Sequence, residues 1–83
     1  MRFVARVEVG LKPGHSDPEG ETTRESLAEL NYRVDSVKVS KVYEALLEAS
    51  SLADAERQVE DMCRRLLANP VKDNYAVQIE EAK

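Results

Sequence analysis

The residues of this chain that could do covalent or acid–base work are few, and their surroundings argue against most reactions. Cys63 is the single thiol. A nucleophilic cysteine needs a neighbouring base and an electropositive setting, whereas Cys63 falls in a stripe with Val59, Met62, Leu66 and Leu67 and reads as a buried structural thiol. His15, the single histidine, stands two residues before Asp17. A carboxylate so placed could orient an imidazole for general-base work, but no nucleophile accompanies it, and the polar loop around it reads as solvated. One Cys and one His supply neither an intramolecular disulfide nor a zinc-type ligand set. Gly10, Gly14 and Gly20 follow a strand and lead into a helix, yet their spacing matches neither the dinucleotide nor the P-loop pattern, and Asp17 and Glu19 would repel phosphate there. Glu19, Glu21, Glu25 and Glu29 recur at roughly helical spacing and read as a solvated face. The expectation is a chain with no catalytic, cofactor-binding or metal-ligating residue.

Composition narrows the partners. Lys and Arg number 12 against 16 Asp and Glu, a formal net charge of -4 with a pI near 5.0, which disfavours nucleic acid. The only aromatics are Phe3, Tyr32, Tyr43 and Tyr75, too few for a base-stacking sheet. Apolar runs such as Ala45-Leu46-Leu47 stop at three residues, far short of the roughly 20 that a spanning helix requires. The start MRFVARVEVG alternates apolar and charged residues and reads as a strand, not an export signal. A lone thiol and no such signal place the chain in the cytoplasm. At 83 residues one domain, residues 1–83, is expected. A core of that size supplies only about 3–5 kcal/mol; with disulfide and metal set aside, oligomerisation is the remaining remedy.

The elements follow from periodicity. Phe3, Ala5, Val7, Val9 and Leu11 share one face of a strand, with Arg2, Arg6, Glu8 and Lys12 on the other. Turn residues Lys12 to Ser16 follow; Asp17-Pro18-Glu19 then offers an N-cap, a proline at the first helical position and an acid at the positive dipole end. That helix carries a narrow stripe of Leu27, Ala28 and Leu30, expected to pack on the sheet, and should end near Asn31, which tolerates a left-handed C-cap. Residues Tyr32 to Ser40 alternate with a phase shift and read as a second strand. Val42 to Ala49 fits a helical stripe and a strand face equally well; Ser50-Ser51, a break that offers an N-cap for a following helix, tips it towards strand. Ala55, Val59, Met62, Cys63, Leu66 and Leu67 mark a helix over Leu52–Ala68, stopped by Asn69-Pro70. Tyr75, Val77 and Ile79 mark a closing strand. The expected fold is α+β in the order β-α-β-β-α-β, two helices packed on one face of a four-stranded antiparallel sheet, ferredoxin-like.

Two stretches carry a resemblance. Lys12 to Gly20, KPGHSDPEG directly after the first strand, resembles the signature of the PurS family, the small subunit of phosphoribosylformylglycinamidine synthase. Met62-Cys63 with Leu66 to Val71, and Asn74 to Val77, resemble that family's second helix end and closing strand, and Asn31-Tyr32 stands where the family has Gly-Tyr. The resemblance implies a strand at Val42–Ala49. It also implies a subunit of a complex that uses ATP and glutamine to turn formylglycinamide ribonucleotide into its amidine, for purine synthesis. Its implied partners are a large synthetase subunit, which uses the ATP, a glutaminase subunit, which uses the glutamine, and further copies of itself as dimer or tetramer; no cofactor is expected on this chain. Lys12, Asp17, Pro18, Glu19, Gly20, Asn69 and Pro70 are the candidate contact residues, with 17–20 a rigid elbow or only a helix cap. The alternative function is a regulatory domain binding an amino acid or nucleotide. A small acylphosphatase-like hydrolase would need an arginine in a phosphate-cradling glycine loop and a helical asparagine, neither of which is evident.

Overall fold

The computed structural model describes residues 1–83. β1 (Arg2–Leu11) is the central strand of a three-stranded antiparallel sheet, flanked by β2 (Lys41–Glu48) and β3 (Asp73–Glu81) in the order β2-β1-β3. Alternation fixes the register, since a slip of one residue would turn every apolar side chain to the wrong face. Phe3 stands opposite Leu47, Ala5 between Ala45 and Ile79, and Val7 between Tyr43 and Val77. The other face sets Arg6 between Glu44 and Gln78, and Arg2 opposite Glu48, opposite charges that support the same pairing.

α2 (Leu52–Met62) lies on the apolar face and packs chiefly against β1 and β3. Ser51 caps it by accepting from the Asp54 N–H at 3.1 Å, satisfying one of the amides a helix start leaves without a partner. Ala55, Val59 and Cys63 recur every four residues and are fully buried, Val59 and Cys63 against Ala5, Val7 and Val9 and Ala55 with Phe3 and Ala49 in an adjoining cluster. Tyr75 Oη donates to Glu60, tying α2 to β3. The helix does not stay α-helical to Ala68 as expected: after Met62 it widens into a π turn over Cys63–Leu67, closed by the Ala68 N–H donating to the Cys63 carbonyl at 2.9 Å.

α1 (Pro18–Glu29) differs in kind. Gly20 is its one buried residue. The expected stripe does not pack on the sheet: Leu27 is half-buried, Ala28 is exposed and Leu30 is 66% exposed. Twelve residues with so little apolar surface give the helix small reason to lie down on it. Its end is as expected. Asn31 takes the left-handed conformation at φ 72, its N–H reaching the Ala28 carbonyl and that of Tyr32 the Leu27 carbonyl, the paired bonds of a Schellman motif.

The fourth strand is absent. Residues 32–40 run without ladder bonds from α1 back to β2, so the expected four-stranded sheet has three. The reason lies in the connection: a hairpin needs at least two turn residues, and only Lys41 separates the two segments read as strands. Both edges of β1 are also already taken, by β2 and β3. α1 and residues 30–40 thus form an arm beside the packed sheet. The result is an extended molecule, 51 × 30 × 14 Å with a radius of gyration of 16.4 Å, against about 12 Å for a compact chain of this length.

Candidate functional site

The two sequence stretches singled out above meet at the end of the sheet where β1 leaves it. The Lys12 ammonium donates to the Pro70 carbonyl at 2.9 Å, and the Lys12 N–H to the Lys72 carbonyl at 2.7 Å, so the first loop is fastened to the last one. Asn69 organises that last loop. Its side-chain oxygen accepts from the Val71 N–H at 2.9 Å and its own N–H donates to Asp73 Oδ2 at 2.8 Å; this Asx-type geometry stands in for a longer turn. Pro70 and Val71 are left at the surface, as is Leu66, 84% exposed, on the π turn.

Asp17 stands at the centre of the other half. One carboxylate oxygen accepts from the Gly20 N–H at 2.9 Å, the N-cap bond expected. The second accepts from the Val39 N–H at 2.8 Å, 22 residues away. Those bonds, the one from Gly20 first and that from Val39 second, hold the Asp17 carboxyl below its ordinary range, against a smaller opposing effect of partial burial. Gly20 is buried because the returning segment crosses it: a Cβ there would run into the Val37 carbonyl oxygen and crowd the Asp17 carboxylate. No sequence signal marked Val37 or Val39 as partners of this elbow, because the contacts span about twenty positions and engage only the backbone of those two residues.

Between the two halves lies an open cleft of about 420 Å³, walled by Leu11, Asp17, Glu19 and Lys41 on one side and Leu67 and Lys72 on the other. A smaller one of about 260 Å³ adjoins it, walled by Lys12, His15, Lys38 and Glu8, where Ser40 Oγ donates to Glu8 at 3.1 Å. Of the seven candidate contact residues, Pro18, Glu19, Asn69 and Pro70 are exposed, Lys12 and Asp17 are half-buried, and Gly20 lies beneath the 37–39 segment. The other groups weighed for chemistry are engaged elsewhere. Cys63 is buried, and desolvation first, Glu60 second, push its thiol up, the wrong direction for a nucleophile. Glu19, Glu21, Glu25 and Glu29 are exposed along α1, with Glu21 paired to Arg24 at 2.6 Å. No helix is long and apolar enough to cross a membrane.

Comparison with known proteins gives this geometry a family. A family model described as phosphoribosylformylglycinamidine (FGAM) synthase, PurS, matches residues 4–81. The PurS subunit of phosphoribosylformylglycinamidine synthase from Methanothermobacter thermautotrophicus is 42% identical over 81 residues, covering 98% of this chain and 96% of its own. That from Archaeoglobus fulgidus is 44% identical over 76 residues, covering 90% and 95%. Among solved structures, Thermus thermophilus PurS superposes with a TM-score of 0.88 at 36% identity over all of both chains. The PurLQS structure of Thermotoga maritima contains a chain that superposes at 0.87 with 28% identity, covering 96% of this chain and 99% of that one. With sequence motifs, fold and near full-length similarity in agreement, the chain belongs to the PurS family of phosphoribosylformylglycinamidine synthase subunits.

Proposed function

We propose that this chain is the non-catalytic small subunit of a phosphoribosylformylglycinamidine synthase complex. In this reading a large synthetase subunit activates the ribonucleotide amide with ATP, a glutaminase subunit releases ammonia from glutamine, and this chain joins the two. It brings surface instead of reacting groups. The observation that carries the reading is how much surface there is. The chain exposes 6377 Å², whereas a globular protein of 9.3 kDa exposes about 5,000 Å². The excess, about 1,400 Å², exceeds the roughly 800 Å² that each partner buries in a standard interface. Both outer sheet edges are free, and Leu30, Tyr32, Leu46, Leu66 and Val71 are exposed, so the molecule is built to be covered.

The first covering partner is the chain itself, as homodimer or homotetramer, and the synthetase and glutaminase subunits come next. We place this work in the cytoplasm, where Cys63 stays reduced, and read residues 1–83 as one domain. Reconstitution tests the proposal. Synthetase and glutaminase subunits mixed with this chain should make the amidine product from glutamine, and leaving the chain out should abolish that product while free ammonia still supports some turnover. Equal glutamine-dependent rates with and without the chain would refute the role.

A further inference from the structure

We propose that the smaller of the two clefts, at the end of the sheet where β1 leaves it, binds a free α-amino acid, glutamine above all, with the ligand carboxylate between Lys12 and Lys38 and its ammonium on Glu8. The choice of glutamine among amino acids rests on the complex proposed above, whose glutaminase subunit consumes it.

The walls of this cleft are held in place by the chain itself. Lys12 to His15 make a tight turn, closed by the His15 N–H donating to the Lys12 carbonyl at 3.3 Å. Pro13 and Gly14 take its two central positions, and Gly14 stands at φ 88, as in a type II turn, where proline presets the first corner and glycine meets the positive φ of the second. On the facing wall Ser40 Oγ donates to Glu8 Oε1 at 3.1 Å and the Val39 N–H to Asp17 at 2.8 Å, which fastens that segment to β1 and to the start of α1. The volume, about 260 Å³, falls just below the roughly 300–1,000 Å³ of sites for drug-sized ligands. That is the scale of a small metabolite, and fixed walls lose little of its binding energy to ordering.

The charges decide the class of ligand. Lys12 and Lys38 line the cleft with Glu8 and Asp17, two of each sign, so neither a bare anion nor a bare cation is favoured on balance. Yet neither lysine pairs with either acid: the ion pairs of the chain engage the N-terminus and four arginines, all outside the cleft. Opposite charges that share a cavity without touching leave a gap suited to a molecule that carries both. The hydrogen-bonding capacity left over agrees. The Lys12 ammonium has three N–H groups and uses one on the Pro70 carbonyl, and Lys38 is in no ion pair. Asp17 has both oxygens on backbone N–H groups and supplies only its field, whereas Glu8 uses Oε1 on Ser40 and keeps Oε2. Glu8 is therefore the carboxylate open to an ammonium, and the two lysines are open to a carboxylate. Leu11 and Val39 also line the cleft, apolar surface for the methylenes of the ligand.

Titration of the purified, isotope-labelled full chain, read by amide chemical shifts, tests the assignment with glycine, L-glutamine, L-glutamate, glutarate and inorganic phosphate. Glutarate lacks the ammonium, and phosphate is a bare anion. L-Glutamine should shift the amides of Glu8, Lys12, His15 and Ser40 saturably with a Kd of about 0.1–1 mM, the range open to so small a ligand. Glutarate and phosphate should bind about tenfold more weakly or worse, the scale of one lost charge-assisted hydrogen bond. Glu8→Gln, which keeps an acceptor for Ser40, and Lys38→Ala, at an exposed position, should each weaken glutamine by about tenfold with the circular dichroism spectrum unchanged. Glutarate or phosphate binding as tightly as glutamine overturns the doubly charged ligand, and wild-type affinity in either variant overturns the pairing it removes. Tighter binding of glycine or L-glutamate overturns glutamine as the occupant. No saturable shift at those amides with any of the three amino acids overturns the site. Because the chain is titrated alone, a failed reconstitution counts against the proposed complex and not against the cleft.

Discussion

The sheet with α2 and the arm of α1 with residues 30–40 are made by different physics. In the first, apolar residues at period two on β1 and near period four on α2 bury one another, and nine of the ten buried residues lie there. In the second, one carboxylate and one glycine hold a helix whose own apolar stripe stays mostly exposed. Hydrophobic burial is distributed over many contacts and tolerates small changes; a latch of two hydrogen bonds concentrates the cost at one point. A chain that has to keep its core while offering a limb to others is served by having the two held separately.

Substitutions should sharpen that contrast. Phe3→Ala, from a side chain 1% exposed beneath α2, should cost about 3–5 kcal/mol, read as a shift in the denaturation midpoint of the whole molecule. Gly20→Ala comes next. In an ordinary helix position alanine would gain up to about 1 kcal/mol; here the Val37 carbonyl must move, and an overpacking cost of about 1–3 kcal/mol should reverse the sign. Amide exchange should show that loss confined to residues 17–40. Ser51→Ala, removing the α2 cap, should cost about 1 kcal/mol and leave the exchange of the arm amides at its native rate.

Acid acts on the start of α2 as well. Asp54 accepts from the Ser50 N–H and pairs with Arg57 and Gln58, and its pKa is lowered from 3.8 to about 2. Because the folded value lies below the unfolded one, the stabilisation is whole above about pH 4 and drains away as pH falls towards 2. Asp54→Asn should therefore flatten the acid limb of a circular dichroism titration below pH 4, and an unchanged limb would remove Asp54 as its cause. Smallest of all, Leu66→Ser at a position 84% exposed should move monomer stability by no more than about 0.5 kcal/mol.

How much of this could be read beforehand tracks the same division. Phe3 to Val9, Tyr43 to Leu47, Val59 with Cys63, and Tyr75 to Ile79 announce their faces by local periodicity, and each stands where that periodicity puts it. The caps at Asp17, Asn31 and Ser51 were legible for the same reason, since each acts within four residues of itself. The strand expected at 32–40 failed because alternation was counted and the turn was not: no two-residue reversal separates it from β2. The stripe on α1 failed differently, since an apolar side chain states that it will be covered without stating by which molecule. At the candidate site, the Lys12 tie to Pro70 and the second bond of Asp17 span 58 and 22 residues, distances at which no pattern in the chain points from one partner to the other.

The place of β1 between its two neighbours has a consequence for how the protein is born. That strand is made before either of them, yet Phe3 pairs with Leu47 on one side and with Glu81 on the other. At ribosomal speeds the second neighbour arrives on the order of ten seconds after the first strand is translated. Through that interval β1 waits with an edge open to any passing nascent chain, and the sheet is sealed only when β3 arrives.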